Sequence, residues 1–269
     1  MTLAFSPLHP LFAARADGTD LSRPLELAAV REIAAAMDRF AVLVFRDQRL
    51  DQDQQLAFTR NFGPLDPGRH LAVRQHRRVR PEFADVSNLD EEGRVADRNH
   101  RRILSNTATR LWHTDSSYKQ PAAKFSLLCC SAIPEWGGET EFADMRAAYD
   151  ALPDRLCDEV EGRSAEHYVH HSRATLGFAP SPEDIAGAIP PAIWPLVRTH
   201  AGSGRKLLYI GSHATHVVGL SVPEGRVLLA DLLEHATQRQ FVYAHKWRAG
   251  DLVMWDNRAV LHRGRRYDL

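Results

Sequence analysis

The chain has 269 residues, with 34 Lys and Arg against 34 Asp and Glu and a formal net charge of zero, so no global field recruits nucleic acid or an anionic membrane. One domain can account for this length, because barrels and α/β folds reach it undivided. No run approaches the ~18 apolar residues of a membrane span, and Met1 to Phe12 lacks a basic stretch leading into a long apolar one, so the expected location is the cytoplasm.

Leu25, Ala29, Ile33, Ala36, Met37 and Phe40 recur at helical spacing, and the run Ala41-Val42-Leu43-Val44-Phe45 follows at once. That change of period predicts a helix feeding a buried strand. Asp51 to Phe62 predicts a second, short helix closing at Gly63.

Gly68 to Arg110 is rich in Arg and His and has few periodic apolar residues outside Phe83 to Leu89. It is expected to be a solvated loop or a lid that closes over a site. Arg74, Arg77, Arg78 and Arg80 look like a nucleic-acid patch only in isolation, since aromatic residues around them are sparse.

Phe125 to Ile133 reads as a buried strand, with Cys129 and Cys130 as core thiols; together with Cys157 the cysteines number three and cannot all pair. Asp144 can cap a third helix that includes Tyr149 and Leu152. Lys206 to Ile210 is a strand, and Val222 to Gln238 a fourth helix with Val227, Leu228, Leu232 and Ala236 on one face. There is no internal repeat, and self-association stays open.

The chemistry concentrates at His113-Thr114-Asp115. On a strand, residues i and i+2 emerge on one face, so His113 and Asp115 would offer a nitrogen and an oxygen ligand together. His262 can complete the set from a distant strand. Two imidazoles and a carboxylate leave about half of an octahedral ion's positions open, which suits non-heme iron(II).

The motif alone is weak in a chain with 14 His, and the same ligands also serve zinc hydrolases. Nucleophile elbows and phosphate loops are missing, and Gly202-Ser203-Gly204 lacks the third glycine of a dinucleotide fingerprint. Trp112 and Trp255 are expected to pack near the metal, and Asp256 and Asn257 to orient backbone or a ligand.

Three segments, Leu111-Trp112-His113-Thr114-Asp115-Ser116-Ser117, Gly137-Gly138-Glu139-Thr140 and Trp255-Asp256-Asn257-Arg258-Ala259-Val260-Leu261-His262-Arg263, resemble the taurine/2-oxoglutarate dioxygenase family. Pro7-Leu8-His9-Pro10-Leu11-Phe12, Asp144 to Pro153 and Trp194 to Lys206 extend the likeness over nearly the whole chain. The resemblance implies a mixed α/β fold, mainly antiparallel β, with a double-stranded β-helix (jelly-roll) core flanked by helices. It also implies one domain over 1–269 with a lid at about 68–110.

By the same resemblance, His113, Asp115 and His262 hold Fe(II), 2-oxoglutarate is the cosubstrate that reacts with O2, and ascorbate is a supporting reductant. Thr140 matches the threonine that bonds the distal carboxylate of 2-oxoglutarate. The family's arginine anchor lies further beyond the last histidine than Arg265 and Arg266, so the resemblance implies either a C-terminal continuation past Leu269 that carries it, which is the expectation, or a site without that anchor. Histidines such as His213, His216 and His200 look substrate-related, with Arg94 reaching the site only if the lid closes.

The implied substrate is an aryloxyacetate such as 2,4-dichlorophenoxyacetate, hydroxylated at its methylene to a hemiacetal that collapses to a phenol and glyoxylate, beside succinate and CO2. Alternatives are the same chemistry on an alkyl sulfonate or sulfate, a zinc hydrolase or isomerase at the same triad, or a non-catalytic sensor of 2-oxoglutarate or an aromatic acid.

Overall fold

The change of period at residue 41 is a change of element. A computed structural model of the protein describes residues 3–66, 78–90, 92–97, 99, 101–179 and 189–267. In it, strands β1 (Ala4–Pro7) and β2 (Ala14–Asp17) precede helix α1 (Leu27–Phe40) and strand β3 (Val42–Phe45). Ala41 makes the corner in the left-handed region at φ 59°, its N–H bonded to the Met37 carbonyl, with its small side chain fully buried. Asp51 caps helix α2 (Gln52–Arg60) through a capping box with Gln54.

The remaining strands are β4 (Phe125–Cys129), β5 (Thr140–Asp144), β6 (Ser164–His167), β7 (Ala192–Pro195), β8 (Val197–Thr199), β9 (Lys206–Leu208), β10 (Ala214–Val217), β11 (Val242–His245), β12 (Leu252–Asp256) and β13 (Val260–Gly264). They form sheets ordered β1-β2-β3-β12-β4, β11-β5-β13, β10-β6-β7 and β8-β9. Among the described strands only β2 and β3 pair in parallel, so the fold is mixed α/β and mainly antiparallel.

Strand β3 is buried on both faces, which explains its unbroken apolar run. Val42 and Val44 join Phe142, Val253, Trp255 and Val260 in a core shared between the five-stranded sheet and β11-β5-β13. Leu43 and Phe45 point the other way, onto Ile33, Met37 and Phe40 of α1. Each such side chain removed from water is worth roughly 1.5–3 kcal/mol.

Helices α3 (Arg101–Asn106), α4 (Met145–Asp150), α5 (Asp154–Val160), α6 (His171–Ala174) and α7 (Val222–Ala236) surround the strands. Asp144 caps α4 as expected, accepting from the Arg146 and Ala147 amides. The Arg146 guanidinium folds back onto the same carboxylate at 2.9 Å with both side chains wholly buried. Ser221 and Glu224 form a capping box on α7, with proline in its first turn.

Several expectations need correction. Val227 is 61% exposed, while the buried stripe of α7 runs through Gly225, Leu228, Leu232 and Ala236; one residue is a 100° rotation, enough to leave the stripe. The strand after Phe125 ends at Cys129, and as an edge strand it is half-buried rather than core. Cys129, Cys130 just beyond the strand and Cys157 are all free, and burial pushes the Cys129 thiol up to about 12.

Residues 67–77, with Arg74 and Arg77, lie outside the described residues. Downstream, Phe83 to Leu89 forms no strand; a single bridge joins Leu89 to Val95. Arg78 there pairs with Asp85, and Arg80 with Asp53 and Glu82, so those guanidinium groups bind neighbouring carboxylates. No helix among the described residues is long and apolar enough to cross a membrane.

Candidate active site

His113 and Asp115 are not carried on a regular strand. His113 forms an isolated antiparallel bridge with His262 of β13, and the chain enters a turn at Asp115. The two histidines exchange both backbone hydrogen bonds, His113 N–H to the His262 carbonyl at 3.0 Å and the reverse at 2.8 Å. That pairing sets their rings side by side with centroids 4.1 Å apart. Gly211 lies behind the bridge at φ 127°, where a Cβ would come within 3.3 Å of the His113 Cα.

The turn brings Asp115 round to face both rings. Its Oδ1 stands 3.7 Å from His113 Nε2 and 3.7 Å from His262 Nε2. Ligands at right angles and about 2.1 Å from an octahedral ion are roughly 3 Å apart, so a slight contraction would bring these three atoms onto one cation. His113 Nδ1 donates to the Leu111 carbonyl at 2.8 Å, leaving the Nε2 lone pair toward Asp115.

A web of polar groups holds the carboxylate. Ser126 Oγ donates to Asp115 Oδ2 at 2.6 Å and accepts from Asn257 Nδ2 at 2.8 Å. Asn257 Oδ1 accepts from the Asp115 amide at 3.3 Å and from Trp255 Nε1 at 3.1 Å. Asn257, expected to orient backbone or a ligand, thus bonds the Asp115 backbone directly and its carboxylate through Ser126. Ser126 was missed, because only the cross-strand register of β4 on β12, Ser126 opposite Trp255, brings it there.

Electrostatics suit a dication. Burial alone pushes the Asp115 carboxyl up, but the nearby His262 and His113 and the Ser126 hydrogen bond outweigh it and hold the group below its ordinary value. Burial first, with His113 adding, pushes His262 down to about 3, which favours the neutral imidazole that a metal ligand must be. Trp255 and Phe142 pack on the His262 ring at 4.9 and 6.2 Å. Trp112, also buried, instead stacks under the Arg263 guanidinium.

Thr140 shares this face. Phe142 lies directly opposite His262, and Thr140 is two residues along β5, opposite Gly264, so its side chain projects with that of Phe142. His213 stands on another side of the site, its ring 6.3 Å from His113 and 4.9 Å from Tyr118. Burial pushes it down to about 3, and its Nδ1 meets no partner among the described residues.

The other sequence candidates are engaged elsewhere. His216 Nδ1 meets the Thr215 hydroxyl at 2.8 Å, with Glu166 at 3.9 Å. His200 is buried, accepting at Nδ1 from the Ser203 amide and donating from Nε2 to Asp256, each at 3.0 Å. Both its nitrogens are bonded within the fold. Arg94 is 74% exposed on the turn after Leu89 and pairs with Asp90 and Glu92.

The family model for taurine catabolism dioxygenases, TauD and TfdA, matches residues 4–268. The chain belongs to this dioxygenase family. Within it, the chain is 58% identical to an alpha-ketoglutarate-dependent 2,4-dichlorophenoxyacetate dioxygenase of Cupriavidus pinatubonensis over all of this chain and 94% of that one. A Burkholderia protein of the same description is 54% identical over all of this chain and 91% of its own length. Among solved structures, AAD-2 in complex with Mn(II) and N-oxalylglycine superposes with a TM-score of 0.91 at 46% identity, covering 100% of this chain and 92% of that one.

Proposed function

We propose that this TauD/TfdA family member is an Fe(II)- and 2-oxoglutarate-dependent dioxygenase that cleaves aryloxyacetate ethers such as 2,4-dichlorophenoxyacetate. The observation that carries the assignment is the convergence of His113, His262 and Asp115, each offering a ligand atom within 4.8 Å of the others, in a chain 58% identical to an enzyme of that activity. When bound there, iron lets 2-oxoglutarate and O2 react so that one oxygen atom enters succinate and the other hydroxylates the substrate methylene, with release of CO2.

The protein's own part is to hold and orient. Ser126 and Asn257 fix the Asp115 carboxylate, and the Leu111 carbonyl fixes the His113 tautomer. Phe142 and Trp255 shield the His262 side of the site from water. Thr140, on the same face, is assigned the distal carboxylate of 2-oxoglutarate. Of the four candidate residues for the substrate carboxylate, His213 is favoured because it stands beside His113 with a free ring nitrogen.

Hydroxylation of the methylene between ether oxygen and carboxylate yields a hemiacetal, which collapses to a phenol and glyoxylate without an acid-base dyad. The core is read as a double-stranded β-helix, supported by the apolar layer that Phe142 and Trp255 share between two mainly antiparallel sheets.

The test is anaerobic addition of Fe(II) and 2-oxoglutarate, followed by O2 with aryloxyacetates, sulfonates and alkyl sulfates in parallel. Succinate with equimolar phenol from the aryloxyacetates is expected, and His113→Ala should produce neither. Succinate coupled only to a sulfate or sulfonate would overturn the substrate, and no succinate under any condition the reaction class.

A further inference from the structure

Thr140 is not a free hydroxyl. Trp247, two residues beyond the end of β11, donates its indole Nε1–H to Thr140 Oγ1 at 3.0 Å, across 107 positions of sequence. An indole nitrogen can only donate, whereas a hydroxyl has one proton to give and two lone pairs to receive. With one lone pair occupied by Trp247, the Thr140 proton is directed away from the indole, and among the described residues it meets no acceptor. The hydroxyl is therefore polarised as a donor toward the face of β5 that it shares with Phe142 and, across the strand pair, His262.

The indole is itself held in place. His245, directly opposite Thr140 in the β11–β5 pairing, sets its ring edge-on to Trp247 with centroids 4.6 Å apart and planes at 89°. That imidazole is fully buried and pinned at both nitrogens, donating from Nε2 to Asp251 Oδ2 at 3.1 Å and accepting at Nδ1 from the Tyr243 hydroxyl at 3.1 Å. A chain of anchored groups thus runs from Asp251 through His245 and Trp247 to one hydroxyl proton.

We infer that Trp247 is a positioning residue for 2-oxoglutarate: its N–H occupies the Thr140 oxygen so that the hydroxyl donates to the distal carboxylate. The inference rests on the assignment of Thr140 made above. Trp247 needs no contact with the cosubstrate; it acts through Thr140.

The experiment is anaerobic calorimetry on Mn(II)-loaded protein, titrated with 2-oxoglutarate and with 2-oxobutyrate, which keeps the chelating carboxylate and keto oxygen but has no distal carboxylate. Trp247→Phe, which keeps an aromatic ring beside His245 and removes the donor, should weaken 2-oxoglutarate roughly 3- to 10-fold and leave 2-oxobutyrate unchanged. In a Thr140→Val background the same substitution should cost nothing further. Equal weakening of both acids, or a loss that persists without the threonine hydroxyl, would overturn the inference. If Thr140→Val weakens 2-oxoglutarate and Trp247→Phe does not, only the role of Trp247 falls. If Thr140→Val binds 2-oxoglutarate like the wild type, the assignment of Thr140 falls and takes the inference with it.

Discussion

Asp115 Oδ2 and the Asn257 side chain never touch, yet Ser126 Oγ joins them, donating to the first at 2.6 Å and accepting from the second at 2.8 Å. The bridge presents Oδ1 to the two histidines, because it occupies the other carboxylate oxygen. Asn257→Ala removes its hydrogen bonds with Ser126, the Asp115 amide and the Trp255 indole N–H. It should weaken Fe(II) or Mn(II) affinity by roughly 10- to 100-fold, as loss of groups that orient metal ligands generally does. Metal titration followed by competition with a chelator measures it, and wild-type affinity would show that the bridge does not govern Asp115.

His213→Ala should raise the KM of an aryloxyacetate about 10- to 150-fold, the worth of one hydrogen bond to a charged group. The anaerobic iron-2-oxoglutarate absorption should survive, since the substitution removes a partner of the substrate and not of the chelate. His216→Ala, whose ring is engaged with Thr215, should leave that KM unchanged. Loss of the chelate absorption in His213→Ala would move this residue to the metal or cosubstrate.

Arg146→Ala should destabilise the fold by about 3–5 kcal/mol, because it strands the Asp144 carboxylate where neither side chain of the pair sees solvent. The substitution also removes the hydrogen bond from Arg146 Nη1 to the Asp38 carbonyl at 2.8 Å, which ties α4 to α1. Denaturant unfolding measures the loss, and a change under 1 kcal/mol would contradict the pairing.

His167 gives the pH dependence. Burial first, with the Arg198 charge second, pushes its ring down to about 4 from 6.5. A group held neutral in the fold contributes stability that is complete above its unfolded value of 6.5 and drains away as pH falls toward 4, where the unfolded chain takes up the proton first. For this fully buried ring the effect is on the order of 3 kcal/mol. Unfolding free energies measured from pH 7 to pH 4 should therefore fall less steeply in His167→Phe than in the wild type. Parallel curves would rule out His167 as a source of acid sensitivity.

Local chemistry was legible wherever neighbours in sequence are neighbours in space. The switch from helical spacing to an apolar run at Ala41 and the Asp51 and Asp144 caps are readable from short stretches, because helix periodicity and capping are properties of a few adjacent residues; grouping His262 with His113 and Asp115 as candidate ligands instead took the family resemblance of three separate segments. The limit of such reading shows at α7, where Val227 missed the buried stripe by one position. It shows again at His113 and Asp115, which meet through a bridge and a turn rather than along a strand.

What only the tertiary structure decided are the partnerships across long sequence separations. His200 bonds Asp256, Trp247 bonds Thr140, and Ser126 and Asn257 together hold Asp115. Each depends on which strands pair and in what register, and a slip of one residue would turn every side chain of a strand to its other face. A histidine bonded to a buried aspartate and one whose buried Nδ1 meets no partner among the described residues have the same side chain; His200 and His213 differ in what the folded chain brings to their ring nitrogens.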